Sequence, residues 1–362
     1  MSTIASPGVT ISPMHVPARL DADDAADFHA VVALSNAVYR AETGLDDYDT
    51  TAEELLPHWR ESTDTVNRTL LARENAEIVG AVTIGHAVAE PTSAEIEVLV
   101  LPNQWGRGIE QMLVDAAEDA VRALGRHVMQ TYSLHRPDPG ASPLAPATGW
   151  GRISTSPLAR LLGGNGYVLE QVERSSAFDL QADPAPLQRM LAEATAIAGQ
   201  DYRVVAWSLP TPSHLQDGYA WVLSRMSTDV PSGGLAIDEE IWDAERVARR
   251  DQQLLDGGQT VSVVGVEHVP TGTLAAFNEL VIGDDPAGVT HQYNTLVLKE
   301  HRGHRLGQIV KCANILRWRE LAPRSPRIVT FNAEENRPML GINEAMGFRP
   351  IAYAGAWQKK LS

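Results

Sequence analysis

The sixteen residues Leu296–Lys311 (Leu-Val-Leu-Lys-Glu-His-Arg-Gly-His-Arg-Leu-Gly-Gln-Ile-Val-Lys) constrain the fold more than any other stretch. They begin in an apolar β run, Thr295 to Leu298, and pass through a loop that holds Gly303 and Gly307. Beyond it, Leu306, Ile309, Val310, Ala313, Leu316 and Trp318 recur at the three- and four-residue spacings of a helix. A strand, a tight glycine loop and a helix form an anion-binding geometry. The first helical N–H groups lack internal partners, and the helix dipole favours negative charge beside them. Arg302, His304 and Arg305 add basic side chains at the same point, so the stretch reads as a site for phosphate or pyrophosphate.

The chain of 362 residues is natural for two domains, each of roughly 150 to 200 residues. A hydrophobic content of 44% fills two cores. The net charge of −16 argues against a nucleic-acid partner, which needs a basic face, and fits a cytoplasmic protein. No apolar run approaches the roughly 20 residues of a membrane helix, so no membrane partner is expected. Met1 to Pro17 has neither the basic region nor the apolar core of a signal peptide, and reads as a partly disordered tail. The one cysteine, Cys312, lies on the apolar side of the helix above and reads as a small core residue.

Taken in order, the pattern predicts a short strand at 16–20, a helix over 22–41, and a capping box at Thr51–Glu54 that starts a second helix. A strand pair at 68–73 and 78–86 flanks a turn. A strand at 94–102, a loop at Trp105-Gly-Arg-Gly-Ile-Glu110, a helix over 111–124 and a strand at 128–134 follow. His135 to Trp150 reads as a Pro/Gly loop; a helix at 157–163 and two strands, 167–172 and 175–180, close the half. After Gln181-Ala-Asp-Pro-Ala-Pro186 a helix runs through 187–197 and the order restarts. A strand at 202–209, helices at 217–226 and 239–255, and strands at 260–267, 273–282 and 289–298 lead into the opening loop. A strand at 327–331, an Asn-rich helix start at 332–336 and a last strand at 351–359 complete it. Val98–Arg107 lies over Thr295–His304 at an offset of about 197 residues, and Gly166-Tyr167 plays the part of Gly347-Phe348. Such an internal repeat of mixed α/β order implies duplicated domains.

With these landmarks in place, the chain resembles the GCN5-related N-acetyltransferase family, as a tandem of two such domains. The family's loop, Gln/Arg-x-x-Gly-x-Gly/Ala, is similar to Arg302-Gly-His-Arg-Leu-Gly307, with Arg305 where glycine is usual. Its later Asn-led helix ending in Gly-Phe is similar to Asn332–Asn336 through Asn343–Phe348. The resemblance implies an α/β (α+β) fold of two GNAT-like domains, 1–185 and 186–362, each a mixed, mostly antiparallel central sheet flanked by helices. It implies acetyl transfer from acetyl-CoA, as cosubstrate, to the amine of a small molecule, with no metal. The implied cofactor residues are Leu296, Val297 and Leu298 on the strand, Arg302, Gly303, His304, Arg305, Leu306 and Gly307 in the loop, and Asn332, Asn336 and Asn343 beyond it.

The first copy carries Trp105 and Glu110 where the loop pattern has Gln/Arg and Gly. Glu110 puts a carboxylate where a pyrophosphate should approach, which like-charge repulsion disfavours by roughly 1 kcal/mol or more. The expectation is therefore a degenerate first domain and an active second one. A base must take the amine's proton. The family often places a glutamate on the strand before the loop; Glu97 fills that position in the first half, while Asn294 fills it in the second. Glu279 on the neighbouring strand is then the candidate base, and Tyr293 and Tyr353 the candidate acids, Tyr353 preferred. The alternatives are a non-catalytic acyl-CoA sensor, or activity in the first domain through Glu97.

Overall fold

The computed structural model describes residues 8–60 and 62–361. By contacts between residues the chain forms two compact units. Met1–Arg174, Ser232–Asp238 and Ala352–Ser362 make one; Ser175–Pro231 and Glu239–Ile351 make the other. The sequence reading drew one boundary, at 185/186. The chain instead changes unit at 174/175, 231/232, 238/239 and 351/352.

The first unit contains β1 (Val9–Pro13), α1 (Ala26–Thr43), α2 (Ala52–Trp59), β2 (Thr65–Glu74), β3 (Glu77–Ala87), β4 (Ser93–Leu99), α3 (Ile109–Ala123), β5 (Val128–His135), α4 (Pro157–Gly164) and the start of β6 (Val168–Asp179). The second contains α5 (Ala185–Ala198), β7 (Tyr202–Ser208), α6 (Ser213–Ser224), α7 (Met226–Asp229), α8 (Ala244–Asp256), β8 (Thr260–His268), β9 (Thr273–Ile282), β10 (Thr290–Val297), α9 (Leu306–Leu321), β11 (Arg327–Ala333) and α10 (Arg337–Met346). The last strand, β12 (Arg349–Lys360), starts in the second unit and belongs to the first from Ala352 onward.

Both units use one plan. In the first, β1, β2, β3 and β4 pair antiparallel in succession, and β4 pairs parallel with β5. In the second, β7, β8, β9 and β10 pair antiparallel, and β10 pairs parallel with β11. Thus the repeat read from order alone is a repeat of topology.

Side-chain alternation then assigns faces. Ile96 and Val98 of β4 pack with Ile109, Leu113, Val114 and Ala117 of α3. Leu99 packs on the other face, with Phe28, Val31 and Val32 of α1. Glu95 and Glu97 share Leu99's parity and so face the α1 side. The helix spacing seen in the sequence is the same device in the second unit, where Leu306, Ile309 and Val310 of α9 cover Val264, Val266 and Ala276.

The strand expected at 16–20 does not form. Val9–Pro13 pairs with β2 instead, from Val9↔Glu74 to Pro13↔Leu70, within the segment read as a tail. Its two apolar residues are too few to signal a strand, and only the distant partner fixes it. Residues 1–7 of that tail lie outside the described residues. The two strands expected at 167–172 and 175–180 are one, β6, because Glu173-Arg174 supplies no turn former between them. The helix expected from 239 starts at Ala244, where the Asp243 side chain accepts from the Arg246 N–H at 2.7 Å. The Thr51–Glu54 capping box forms as expected.

Candidate active site

The two loops share a backbone. In the first unit a 3-10 turn at Pro102–Gln104 leads to Gly106 (φ 82°), Gly108 (φ 83°) and then α3. In the second, a 3-10 turn at Lys299–His301 leads to Gly303 (φ 88°), Arg305 (φ 61°) and α9. Arg305 therefore takes the left-handed conformation that Gly108 takes, at a steric cost of about 1 kcal/mol. Gly307 is fixed by close approach: a Cβ there would sit 3.2 Å from Ile342 Cδ1 and 3.5 Å from Val297 Cγ2.

What surrounds the loops differs. The Gly106 N–H donates to Glu110 Oε1 at 3.0 Å, so the first loop already holds a carboxylate, its own. The other oxygen of Glu110 is buried with no hydrogen-bond partner among the described residues. Arg107 pairs with Glu74 at 2.6 Å, and the Trp105 Nε1–H donates to the Val100 carbonyl at 2.8 Å. In the second loop Arg302 donates to the carbonyls of Val297 (3.3 Å) and Asp229 (3.1 Å), while Arg302, His304 and Arg305 are exposed. His301 receives or gives a hydrogen bond at Tyr202 Oη (3.1 Å), and the His304 ring lies 5.1 Å from the Tyr202 ring.

The parallel strands part beyond each loop's root. β4 and β5 pair at Ser93↔Val128, Ala94↔Met129 and Glu95↔Gln130, then separate, although β4 runs on to Leu99 and β5 to His135. At the open end lies a cavity of about 400 Å³, lined among others by Glu42, Val100, Trp105, His135, Ser154 and Ser156. In the second unit β10 and β11 pair only at Thr290↔Ile328 and His291↔Val329. There, side chains bridge the gap. Gln292 Nε2 donates to Thr330 Oγ1 at 2.8 Å, and the Lys311 ammonium nitrogen donates to Gln292 Oε1. Lys311 is fully buried, with Nζ 5.1 Å from the Phe348 ring centre, and desolvation pushes its pKa down to about 7. The Leu298 N–H donates to the Ala275 carbonyl at 3.0 Å, so it does not face the gap.

The carboxylates differ in the same way. Glu97, half-buried, accepts hydrogen bonds from Tyr39 Oη on α1 and from Thr83 Oγ1 at 3.4 Å on β3. Desolvation pushes its pKa up to about 7. Burial also raises Glu95, and raises Glu42 to about 7 against a weaker opposing bond from the Leu134 backbone. Glu95 is exposed to solvent. Glu279, by contrast, is fully buried and pairs with Arg250 at 2.8 Å. It also accepts from Tyr219 Oη and from Asn294 Nδ2 at 2.6 Å.

The sequence model described as the acetyltransferase (GNAT) family matches residues 30–140, from α1 past the end of β5. A solved tandem GNAT protein from the clavulanic acid biosynthesis pathway, determined without AcCoA, covers 97% of this chain and 98% of its own, at 21% identity and a TM-score of 0.73. Residues 30–140 thus match the GNAT family, and the whole chain has the fold of a tandem GNAT protein. A GCN5-related N-acetyltransferase from Sphaerobacter thermophilus has the same fold at 14% identity and a TM-score of 0.61, over 98% of this chain and 96% of its own. No curated protein matches the sequence. The family matched by residues 30–140 is one of acetyltransferases.

The sequence-selected residues divide between the two units. Leu296 and Leu298 are buried in the second unit's core with Phe277, and Val297 packs on Leu306's cluster. Asn343 donates to Asn332 at 2.7 Å, and Asn336 caps α10 by accepting from the Met339 N–H. Tyr353 belongs to the first unit, opposite His135 in register. It therefore does not sit on the same compact unit as the Arg302–Gly307 loop. Glu42, Tyr39, His135 and Ser154 were missed. The nearest signal was Glu97, whose neighbours Tyr39 and Thr83 lie 58 and 14 residues away in sequence. Among the described residues no group of three or more His, Cys, Asp or Glu could hold a metal, and no helix is long and apolar enough to cross a membrane.

Proposed function

We propose that this GNAT protein is an acetyl-CoA-dependent N-acetyltransferase of a small amine, and that transfer runs in the first unit with Glu97 as the base. One contrast carries the choice of unit: Glu97 titrates at about 7 beside an open strand gap, whereas Glu279 is locked in an ion pair with Arg250. The matched family segment, residues 30–140, also lies there. The sequence expectation is the second domain instead, on its Arg302–Gly307 loop, its Asn332–Phe348 helix and the Glu110 carboxylate in the first loop.

The parted strands and the cavity suit a thioester arm, while Glu110 in the loop opposes a pyrophosphate. Trp105 and Val100 would line the arm's path. Acetyl-CoA supplies an acyl carbon activated as a thioester. An amine is mostly protonated at neutral pH and cannot attack until it loses a proton. A carboxylate near pKa 7 is matched to that task, because it is ionised enough to accept and basic enough to pull. The Tyr39 and Thr83 hydroxyls fix its direction.

Free-thiol release from acetyl-CoA with putrescine, tyramine and glucosamine tests the reading. Glu97→Gln should lower turnover about a hundredfold or more. Turnover at the wild-type rate in Glu97→Gln overturns it. The exposed Arg302 and Arg305 favour a second reading, in which acetyl-CoA is held by the second unit. Loss of acetyl-CoA binding in the Arg302→Ala/Arg305→Ala double variant, read by calorimetry, would move the site there.

A further inference from the structure

A chain of hydrogen bonds runs from the core of the first unit to its cavity. The Trp357 Nε1–H donates to Ser133 Oγ at 2.8 Å. Ser133 Oγ lies 2.7 Å from His135 Nε2, and His135 Nδ1 lies 3.0 Å from Ser154 Oγ. Ser154 lines the cavity.

The direction of every link follows from the first. An indole N–H only donates, so Ser133 Oγ accepts from Trp357. Ser133 is fully buried, and its own proton has one acceptor among the described residues, His135 Nε2. A buried hydroxyl keeps its hydrogen bond, so Nε2 is the accepting nitrogen of the ring. The imidazole is then protonated on Nδ1, and this N–H donates to Ser154 Oγ. One lone pair of Ser154 Oγ is then occupied, and its O–H proton has no acceptor among the described residues. It is directed to whatever fills the cavity. Burial holds His135 neutral, its pKa pushed down to about 4, consistent with one ring nitrogen accepting.

Ser133 and His135 share parity on β5 and belong to the face where Trp357 packs with Ile96 and Val98. Glu97 is on the opposite face of β4. The two groups therefore flank the strand gap from opposite sides.

We infer that Ser154 is a catalytic residue of the acyl transfer: its hydroxyl donates to the thiolate that leaves the thioester, and His135, Ser133 and Trp357 are positioning residues that aim it. The inference rests on the proposed site in the first unit. In the step, the amine lone pair forms the new C–N bond and Glu97 takes the amine proton. The C–S bond breaks with its electron pair going to sulfur. Ser154 keeps its proton and hydrogen-bonds the sulfur anion, which takes a proton from solvent after release. Each upstream donor polarises the next, which strengthens the last one. No proton leaves the relay, so it needs no recharging between turnovers.

The test uses the full chain, acetyl-CoA and two further acetyl thioesters, one of an alkyl thiol and one of an aryl thiol. A hydrogen bond to a charged group should be worth about ten- to a hundredfold in rate. Ser154→Ala should lose that much kcat on the alkyl donors with KM little changed, and much less on the aryl donor, whose thiolate needs less help. His135→Asn keeps a donor at the Nδ1 place and should retain most activity; His135→Leu should fall with Ser154→Ala. A measurement without acceptor amine is the ultraviolet titration of the thiol of bound coenzyme A. Its pKa should be about one unit higher in Ser154→Ala than in wild type. Equal losses on alkyl and aryl donors, or an unchanged thiol pKa, overturn the inference while leaving Glu97 in place. Full activity of Glu97→Gln overturns both.

Discussion

Glu110, in the first turn of α3, closes over Gly106: the glycine N–H donates to its Oε1 at 3.0 Å, so the anion-binding loop of the first unit holds one of its own carboxylates. An incoming pyrophosphate meets that charge. Glu110→Gln should tighten acetyl-CoA binding about fivefold to tenfold in calorimetry, from about 1 kcal/mol of relieved repulsion. Added salt should narrow the difference. The same change removes a carboxylate from a helix N-terminus, so thermal stability should drop by about 0.3 to 1 kcal/mol. Equal affinities in the two proteins would show that the loop does not meet the donor's phosphates.

Glu97 sets a pH dependence with a definite sign. In the proposed base role the working form is the carboxylate, and burial raises its pKa to about 7. The rate at low donor concentration should therefore rise through pH 7 and level off by about pH 8. Stability should move the opposite way. A carboxyl whose folded pKa lies above its unfolded value of 4.5 binds its proton more tightly when folded. Its contribution is fully present below pH 4.5 and is lost as pH rises to about 7. Chemical denaturation should find Glu97→Gln more stable than wild type at pH 8, although it is less active. A flat rate profile between pH 6 and 8 would remove Glu97 from the base role.

Lys311 gives the complementary case. It is fully buried in the second unit, and its pKa falls from 10.5 to about 7 by desolvation. A base with a lowered folded pKa favours the unfolded, protonated chain below pH 10.5. Wild-type stability should therefore rise between about pH 7 and 10, by at most about 1.4 kcal/mol per pH unit. Lys311→Met should abolish that rise in urea titrations at pH 7 and 9. At pH 7 it should cost little, since losing the bond to Gln292 is offset by ending the desolvation of the amine. A strongly destabilised Lys311→Met at pH 7 would mean that the bridge across the gap matters more than the burial of the nitrogen.

Residues Ala352–Lys360 pair with β5 of the first unit, and Trp357 enters that unit's core. The fragment 1–185 should therefore fail to fold as a compact unit, with broad amide dispersion lost in its nuclear magnetic resonance spectrum. In the full chain, Trp357→Ala should cost about 3 to 5 kcal/mol. A well-dispersed, cooperatively melting 1–185 fragment would show that the first unit does not need its C-terminal strand.

Much of this was legible in the chain, for a local reason. The α9 stripe from Leu306 to Trp318, the Thr51–Glu54 capping box and the loop–helix pattern rest on contacts between residues three or four apart. Order alone exposed the duplication, because both halves repeat the same alternation of strand and helix signals. The Arg at position 305 looked anomalous in sequence; the fold shows that the position needs left-handed backbone, which Arg305 adopts at φ 61°.

The sequence by itself determined most of the elements, the two loops, the duplicated plan and the family they resemble. It also offered two carboxylates on strands, Glu279 as the candidate base and Glu97 as the alternative. The tertiary structure decided that burial raises Glu97 to about 7 and that Glu279 is tied to Arg250, because desolvation and ion pairing depend on neighbours far off in the chain. It decided that β12 serves the first unit, since strand pairing over more than two hundred residues leaves no local mark. It also joined Trp357, Ser133, His135 and Ser154, whose shared hydrogen bonds no spacing along the chain could announce.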